Sequence, residues 1–412
     1  MTRHRLGPIH VAALLVSASC GIAFLLGSGE MAIHSGMAGS LYAIVTAFGM
    51  FALGLVARKL WVVGEPIWEI LGNQYGPAVR KAVALLSLVW MSGVLAAQIH
   101  GSIAVLATVG FKTFHSALAT SAALLAISSV DLGVAALLFT LGLLASNLIL
   151  LHALVLSGGL PVYLHAWPSF VHEVQTVPPV ETLITVIAIG FLVLTGSDYQ
   201  QFVIAARRPV DAWLGCVLAG IFLIAAGFLP AATVVAALRG GQLSGLNDYA
   251  SAIPWIMLHT SGRAGPICLG IVALAALGSG TAITRAMSSA LMDLRPVIRR
   301  HELTSKCLII ATCCVIAIDG HSIVSTIVSL NAIYISAVGV LFVLDQTGHP
   351  TTPRCAFAIM VSGGMSSLFV AILSWAHIAH LPDWISLTTG LLASVAPVLA
   401  SYLSSTQHGI RS

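Results

Sequence analysis

Three charged residues stand inside long apolar stretches of this sequence: Glu30, Asp198 and Arg285. Arg285 lies within the apolar segment 269–291, which is long enough to cross a membrane as a helix. A charge in hydrocarbon is costly, so such side chains usually face the interior of a helix bundle or a water-filled cavity. Together they indicate a polar pathway through a membrane protein.

The composition predicts the class of protein that must hold these charges. The chain has 412 residues, 58% of them hydrophobic and 8% charged, and its mean hydropathy is +1.00. Soluble domains carry roughly a quarter charged residues. We therefore expect an all-α polytopic membrane protein, because a chain in lipid must satisfy its backbone polar groups within helices. The seven cysteines are an odd number, mostly in apolar runs, which argues against a disulfide framework.

Twelve apolar segments reach or approach the roughly 20 residues that a helix needs to cross a bilayer. They are 8–34, 37–57, 81–110, 113–129, 131–157, 182–205, 211–238, 265–292, 304–318, 322–345, 354–376 and 384–404. With a cytoplasmic N-terminus, all loop lysines and arginines except Lys112, Arg239 and Arg263 lie on the inner side. The positive-inside rule then places both termini in the cytoplasm. We expect the protein in a bacterial inner membrane.

The number of spans predicts an inverted repeat. Spans 1–5 form an odd-numbered block, so spans 6–10 start from the opposite side of the membrane. The expected division is 1–160 for the first repeat, 181–346 for the second, and 347–412 for two further helices and a tail. Two short motifs favour it over twelve unrelated spans, namely 27–29 (Gly-Ser-Gly) in span 1 and 195–197 (Thr-Gly-Ser) in span 6. Broken helices at matching positions of two halves indicate a binding site near the midplane.

The motif of span 1 is the first candidate for solute binding. Gly27 and Gly29 bracket Ser28 and favour an unwound backbone, and Glu30 adds a negative charge or a protonatable group. The alternative is that the glycines only let another helix approach and that Glu30 lies near the outer interface. The other residues expected to contact the solute are Gln98, His100, Thr195, Ser197, Asp198 and Asn331.

Asp198 has two possible roles inside a polar run of span 6. It would bind a solute or neutralise Arg285, or it would simply mark the cytoplasmic end of the span, a few residues before Arg207. In span 8, Ser279 follows Gly278 in a hydroxyl-rich run, and hydroxyl oxygens suit an alkali cation. Hydroxyls in membrane helices are also common packing groups. Asp131 begins span 5 and has the default interpretation of a helix cap.

Three segments resemble the sodium:solute symporter family, whose members have a LeuT-type fold. They are 19–39 with the cytoplasmic segment 65–76; 196–209 with its Ala-Ala-Arg-Arg-Pro end; and Gly278-Ser279 with Ser288-Ser289 and Asp293. The similarity extends over roughly residues 8–346, the ten core spans. It implies a five-plus-five inverted repeat followed by two C-terminal helices.

The resemblance also implies an ion site between spans 1 and 8. Backbone carbonyls of about Ala18 and Gly21 and the hydroxyl of Ser279 would hold sodium, with Asp131 near the ion. The chain departs from the family at Gly278, which replaces one of two paired hydroxyls, and at Arg285, which is unusual there. A fixed cation near the ion site can stand in for the ion, so proton-coupled or uncoupled transport is the alternative to sodium coupling.

These observations predict a secondary active symporter for a small polar organic solute. The expected partners are that solute, a coupling cation (sodium, with a proton as the alternative) and the lipid bilayer. Arg285 is expected to pair with Asp131 or Asp198 at an inner gate. The alternative class is a transporter-derived membrane sensor. We expect neither catalysis nor a covalent cofactor, because the loops show neither a nucleophile–base set nor a metal motif. Nor do we expect nucleic-acid binding, since topology explains the net charge of +4.

Overall fold

The structure is a computed structural model that describes residues 6–246, 249–294, 301–318, 323–349, 351–375, 378 and 381–409. Within these ranges the chain is almost entirely helical. Six of the basic residues assigned to the inner side, and the first residue of predicted span 10, lie outside the described residues. They are Arg3, Arg5, Arg295, Arg299, Arg300, Arg411 and Ser322.

Spans 1–5 and the segment after them contain nine α-helices. These are α1 (Pro8–Ser19), α2 (Ile22–Ser35), α3 (Leu41–Val63), α4 (Ile67–Tyr75), α5 (Pro77–Thr108), α6 (Thr113–Ser128), α7 (Leu132–Leu156), α8 (Leu160–Leu164) and α9 (Ala166–Val174). A 3-10 turn, Gly36–Ser40, joins α2 to α3. The predicted first span thus consists of two helices, α1 and α2.

In the described residues of spans 6–10 and the two further spans there are ten more α-helices. These are α10 (Pro179–Thr195), α11 (Ser197–Ile204), α12 (Pro209–Ala226), α13 (Leu229–Arg239), α14 (Ala252–Thr260), α15 (Gly265–Leu294), α16 (Glu302–Ile318), α17 (Ile323–Gln346), α18 (Pro353–Trp375) and α19 (Asp383–Gly409). Span 6 also consists of two helices, α10 and α11. Span 7 is divided as well, between α12 and α13, which the sequence analysis did not predict.

Local sequence signals explain many of the helix boundaries. Pro77 occupies the first position of α5. Proline lacks a backbone N–H, but an N–H at this position would have no partner within the helix, so no hydrogen bond is lost. At the end of α3, Gly64 has φ 64° and ψ 24°, a left-handed conformation that glycine adopts without a steric penalty. Its N–H donates to the Leu60 carbonyl. These signals separate α3 and α5 from the short helix α4 between them.

The helices have the length and composition of membrane spans. Eight helical segments of the described chain are long and apolar enough to cross a bilayer, and some of the other predicted spans are shorter apolar helices. Large apolar side chains such as Leu55 and Phe369 are exposed on the outside of the bundle. Helices that are apolar on both the inner and the outer face are typical of a protein surrounded by lipid. The chain is therefore an integral membrane protein.

Polar contacts place the ends of several spans on one face of the bundle. Leu6, before α1, forms a bridge with Ala206, which follows α11. Lys59, near the end of α3, lies 3.3 Å from Asp345 at the end of α17. Trp68 of α4 donates a 3.1 Å hydrogen bond to Asp293 at the end of α15. The N-terminal segment and the ends of spans 2, 6, 8 and 10 thus share a face, as an alternating chain path requires.

Candidate functional site

The first span is interrupted at Cys20 and Gly21. Cys20 has φ −86° and ψ 47°, and Gly21 is extended at φ −70° and ψ 174°. The sequence-based prediction of a break at residues 27–29 is wrong, because these residues lie inside α2. A Cβ built on Gly29 would lie 2.8 Å from Ile253 Cδ1. Gly29 therefore lets α14 approach α2, which was the alternative interpretation.

The break in span 6 lies where the sequence predicts it. Gly196 is extended at φ −66° and ψ 117° between α10 and α11. Gln200 Nε2 donates to the Leu194 carbonyl at 2.9 Å, and the Tyr334 hydroxyl donates to the Thr195 carbonyl at 3.3 Å. Side chains thus satisfy the carbonyls at the end of α10 that the missing helical turn would have bound.

A cavity lies between the two breaks. It leaves about 30 Å³ for the centres of water-sized molecules, room for only a few waters, so the cavity is narrow in this structure. Its lining residues are Ala18, Ser19, Phe24, Gly27, Ser28, Met31, Tyr42, Trp90, Val94, Gln98, Leu192, Asp198, Tyr199 and Ser279. The predicted site residues among them come from both broken spans and from spans 3 and 8. They are Ala18, Gly27, Ser28, Gln98, Asp198 and Ser279.

Asp198 gives this cavity its electrostatic character. It is 2% exposed, and of the described residues that line the cavity it is the one with a charged side chain. Its Oδ1 accepts no hydrogen bond from the described residues. Oδ1 would lie 2.6 Å from a Cβ on Gly196, so the carboxylate fits here because residue 196 is a glycine. Backbone N–H groups of Asp198 and Tyr199 donate to the carboxyl group, but no described side chain of the cavity lining offers it a counter-charge. A carboxyl group buried in this way takes up a proton or a bound cation.

Gln98 connects three elements at the side of the cavity. Its Nε2 donates to Ser279 Oγ at 3.3 Å, which joins α5 to α15. The same amide lies 2.5 Å from the position of a Cβ on Gly21. A side chain at position 21 would displace Gln98. The glycine of the break is therefore required for this close approach, since its extended backbone conformation is open to any residue.

Two residues that were predicted to hold the ion lie close together. Ala18 and Ser279 line the cavity together. A Cβ on Gly278 would overlap Ser17 Oγ, so a hydroxyl of α1 occupies the space that a longer side chain of α15 would fill. Ser17 is 2% exposed, and its Oγ has no hydrogen bond among the described residues. Helix α1 thus offers a buried oxygen close to the position where the sequence lacks one.

Several predicted solute contacts lie away from the cavity and bond neighbouring helices. The His100 ring Nδ1 lies 2.9 Å from the Ala317 carbonyl at the end of α16. Asn331 Nδ2 donates to the Ala188 carbonyl at 3.2 Å. Ser197, Thr195, Gly29 and Glu30 do not line the cavity either. Their roles in solute binding therefore remain predictions, and in this conformation they support the elements around the site.

Arg285 lies at the C-terminal end of α6. It is half-buried and donates to the carbonyls of Ile127 and Val130. Of its two predicted partners, Asp131 is near enough to act on its charge, whereas Asp198 lies in the central cavity. Asp131 itself is exposed at the start of α7. A cation at a helix C-terminus is favourable, because the last carbonyls carry partial negative charge.

Half of the lining residues that the sequence did not predict are aromatic. Trp90 and Val94 precede Gln98 at intervals of four residues, so the three share one face of α5. This spacing was the available signal, since a polar residue in a span marks the inward face. Tyr42 and Phe24 gave no such signal; their rings, with centroids 6.0 Å apart, meet only when α3 packs near the break.

Comparisons with known proteins agree with this arrangement. No protein-family model matches the sequence, and no curated protein matches it. Solved structures do. A Na⁺-coupled sialic acid symporter in a substrate-bound outward-open state is 13% identical with a TM-score of 0.69, over 95% of this chain and 88% of that one.

Two further structures cover nearly the whole chain. A nucleobase-cation-symport-1 family transporter, closed with bromovinylhydantoin bound, is 14% identical with a TM-score of 0.57, over 98% of this chain and 95% of that one. A manganese transporter of Eremococcus coleocola is 13% identical with a TM-score of 0.55, over 96% and 92%. The chain is therefore an integral membrane protein with the LeuT-type fold, the fold that its two broken helices and its resemblance to the sodium:solute symporter family predicted.

Proposed function

We propose that this protein is a secondary active transporter that couples the movement of a small polar organic solute to a cation, with sodium as the coupling ion. The observation that carries this proposal is the cavity between two broken helices, with a buried carboxylate at its wall. Such a cavity suits a solute pathway, because polar side chains and backbone groups near a helix break can replace water around a polar ligand. The sodium:solute symporter family is the relationship that we propose.

The ion would bind where α1 ends against α15. Carbonyl oxygens near Ala18 and the hydroxyls of Ser17 and Ser279 are hard oxygen ligands of the kind that alkali cations take. The unbonded Ser17 Oγ supports this assignment, because a buried hydroxyl without a partner is otherwise costly. Ala18 and Ser279 also line the solute cavity, so an ion here and a solute there would be neighbours.

Coupling then follows from linkage. If the ion and the solute both favour the same arrangement of the two broken spans, each raises the apparent affinity of the other by the same factor. Loss of the ion to the cytoplasm would weaken solute binding and release the solute there. A transporter of this kind needs no further energy source than the ion gradient.

The test is uptake by proteoliposomes under separate sodium and proton gradients. We expect solute accumulation with an inward sodium gradient and none with a proton gradient alone. Ser17→Ala and Ser279→Ala should each raise the sodium concentration for half-maximal uptake, and Ser92→Ala, a partly exposed serine of α5 outside the cavity, should not. Accumulation with the proton gradient alone would show that the coupling ion is a proton and not sodium. Partner binding without any flux would favour the sensor.

A further inference from the structure

We propose that the transported solute carries a positively charged amine that pairs with Asp198. This inference rests on the transport function proposed above and names the chemical class of its solute. It does not depend on Glu30, the carboxylate that the sequence made most prominent. Glu30 lies on α2 outside the cavity lining, whereas Asp198 lies in that lining on the first turn of α11.

The first argument is charge balance inside the cavity. Asp198 is 2% exposed, and the described residues that line the cavity include no lysine, arginine or histidine. The sequence predicted Arg285 as a possible partner of Asp198, but Arg285 donates hydrogen bonds to carbonyls at the end of α6 instead. When Asp198 is ionised, its counter-charge must therefore come from a bound species; a proton on the carboxyl group is the alternative. A solute with only negative charge would meet Asp198 without any compensating side chain.

The second argument is an acceptor oxygen of Asp198 that lacks a hydrogen-bond donor. Asp198 Oδ1 has no hydrogen bond among the described residues, although it is fully buried. An ammonium group carries several N–H donors and a full charge, and it would satisfy this oxygen with a charge-assisted bond. A hydroxyl of a neutral solute would supply the hydrogen bond without the charge, which leaves the electrostatic cost in place.

The third argument is the aromatic wall. Four of the lining residues are aromatic: Phe24, Tyr42, Trp90 and Tyr199. The faces of such rings attract a cation within about 6 Å, and tryptophan does so most strongly. Trp90 is held in place by Tyr334, with ring centroids 5.7 Å apart. A wall of aromatic rings beside one carboxylate suits an organic cation better than a sugar-like or anionic solute.

Sodium is the competing counter-ion for Asp198. The oxygens proposed for the ion lie on α1 and α15, whereas Asp198 belongs to α11 and stands over Gly196 at the other break. We therefore assign the sodium to the break of span 1 and the amine to the break of span 6. The two assignments predict different effects of an Asp198 substitution, which an experiment separates.

The experiment measures thermal unfolding of the purified full-length protein in nanodiscs, since a bound ligand stabilises by mass action. The probes are matched pairs that differ in charge: isobutylamine and isobutanol, ethanolamine and ethylene glycol, alanine and lactate. Each is titrated with and without sodium on the wild type, on Asp198→Asn and on Asp211→Asn. The last variant removes a carboxylate at the start of α12, outside the cavity, that pairs only loosely with Arg207 at 3.9 Å.

We expect at least one amine to stabilise the wild type while its uncharged or anionic partner does not. Asp198→Asn should raise the concentration for half-maximal stabilisation at least about tenfold, because a charge-assisted bond is lost. Asp211→Asn should leave it unchanged. Stabilisation by neutral or anionic members that survives Asp198→Asn would overturn the proposal, and so would no stabilisation by any amine. Loss of stabilisation by sodium alone in Asp198→Asn would overturn it too, because it would assign Asp198 to the ion.

A second readout separates this inference from the transport function. Proteoliposomes are loaded in parallel with the same pairs and assayed for counterflow. Flux of a neutral or anionic solute would contradict the proposal of an amine solute, but it would support the transport function. Absence of flux for every pair, under sodium and proton gradients alike, would count against both the amine and the transport function.

Discussion

Asp198 shows what a single residue in a sequence reveals and what it conceals. Its presence in an apolar span predicted a functional carboxylate, but two interpretations of its depth were equally open. The structure places it in the cavity wall because α11 starts only at Ser197, so the polar run belongs to a helix end at the midplane. His100 is the opposite case, since an equally conspicuous polar residue bonds a neighbouring helix. Residue type predicted polarity; only packing decided which side chains meet.

Arg285 is the residue whose substitution best separates a structural role from a gating role. Arg285→Ala removes the donor to the Ile127 and Val130 carbonyls. We expect the free energy of unfolding to fall by about 1.5–3 kcal/mol, the usual loss for hydrogen bonds to a charged group. The measurement is thermal or denaturant unfolding of the purified protein, with solute uptake determined on the same preparations.

The matched control is Arg263→Ala, which removes an exposed arginine from a 3-10 turn at the other face. It should change stability by less than about 0.5 kcal/mol, as most surface substitutions do. Normal unfolding of Arg285→Ala together with lost or uncoupled uptake would contradict the capping role. That result would support the predicted inner gate with Asp131.

At the scale of helices, the breaks show how far glycine patterns can be interpreted. Gly196 and residues 27–29 look alike in sequence, yet only the first is a break. A glycine in a membrane helix serves either an interruption or the close approach of another helix, and the neighbour decides which. At Gly29 that neighbour is Ile253, more than 200 residues away in the chain, and nothing local indicates it. The break at Cys20 and Gly21 lacks a glycine pair. Only the family resemblance, which implied accessible carbonyls at about Ala18 and Gly21, pointed to it.

The contact between α1 and α15 gives a prediction at this scale. Gly278→Ala places a methyl group against Ser17 Oγ, with Phe139 Cδ1 at 2.9 Å on the other side. We expect a loss of about 1–3 kcal/mol of stability, the usual cost of overpacking. The double variant Ser17→Ala/Gly278→Ala should recover part of this loss, because the hydroxyl is gone while the Phe139 contact stays. Unfolding of both variants in parallel measures the recovery.

The same helix supplies a control. A Cβ on Gly270 of α15 would meet no atom within 4 Å, so Gly270→Ala should be neutral or stabilising by up to about 1 kcal/mol. If Gly278→Ala behaved like Gly270→Ala, the two helices would not be in close contact at Ser17, and the proposed role of its hydroxyl at the ion site would lose its geometric support.

For the whole molecule, counting spans predicted more than any motif did. The parity of twelve spans required the N-terminal segment and the ends of the even-numbered spans to share one face, and the contacts of Leu6, Lys59 and Trp68 show this arrangement. The extra division between α12 and α13 was not predicted, because Gly227 and Pro230 stand in a continuous apolar run. Hydropathy detects the length of a span and does not detect a bend within it.

The face on which the N-terminus lies is the cytoplasmic one if the positive-inside rule holds for this chain. We expect Arg239→Cys, at the end of α13, to react with a membrane-impermeant maleimide on intact cells, and Lys59→Cys to react only after permeabilisation. Both positions are exposed, and both variants are made in a background with the seven native cysteines replaced by serine. Because Lys59 contacts Asp345, its label also reports the side on which α17 ends. Labelling of Lys59→Cys and not of Arg239→Cys on intact cells would show that the protein has the opposite orientation in the membrane. The proposed release of sodium would then be to the outside.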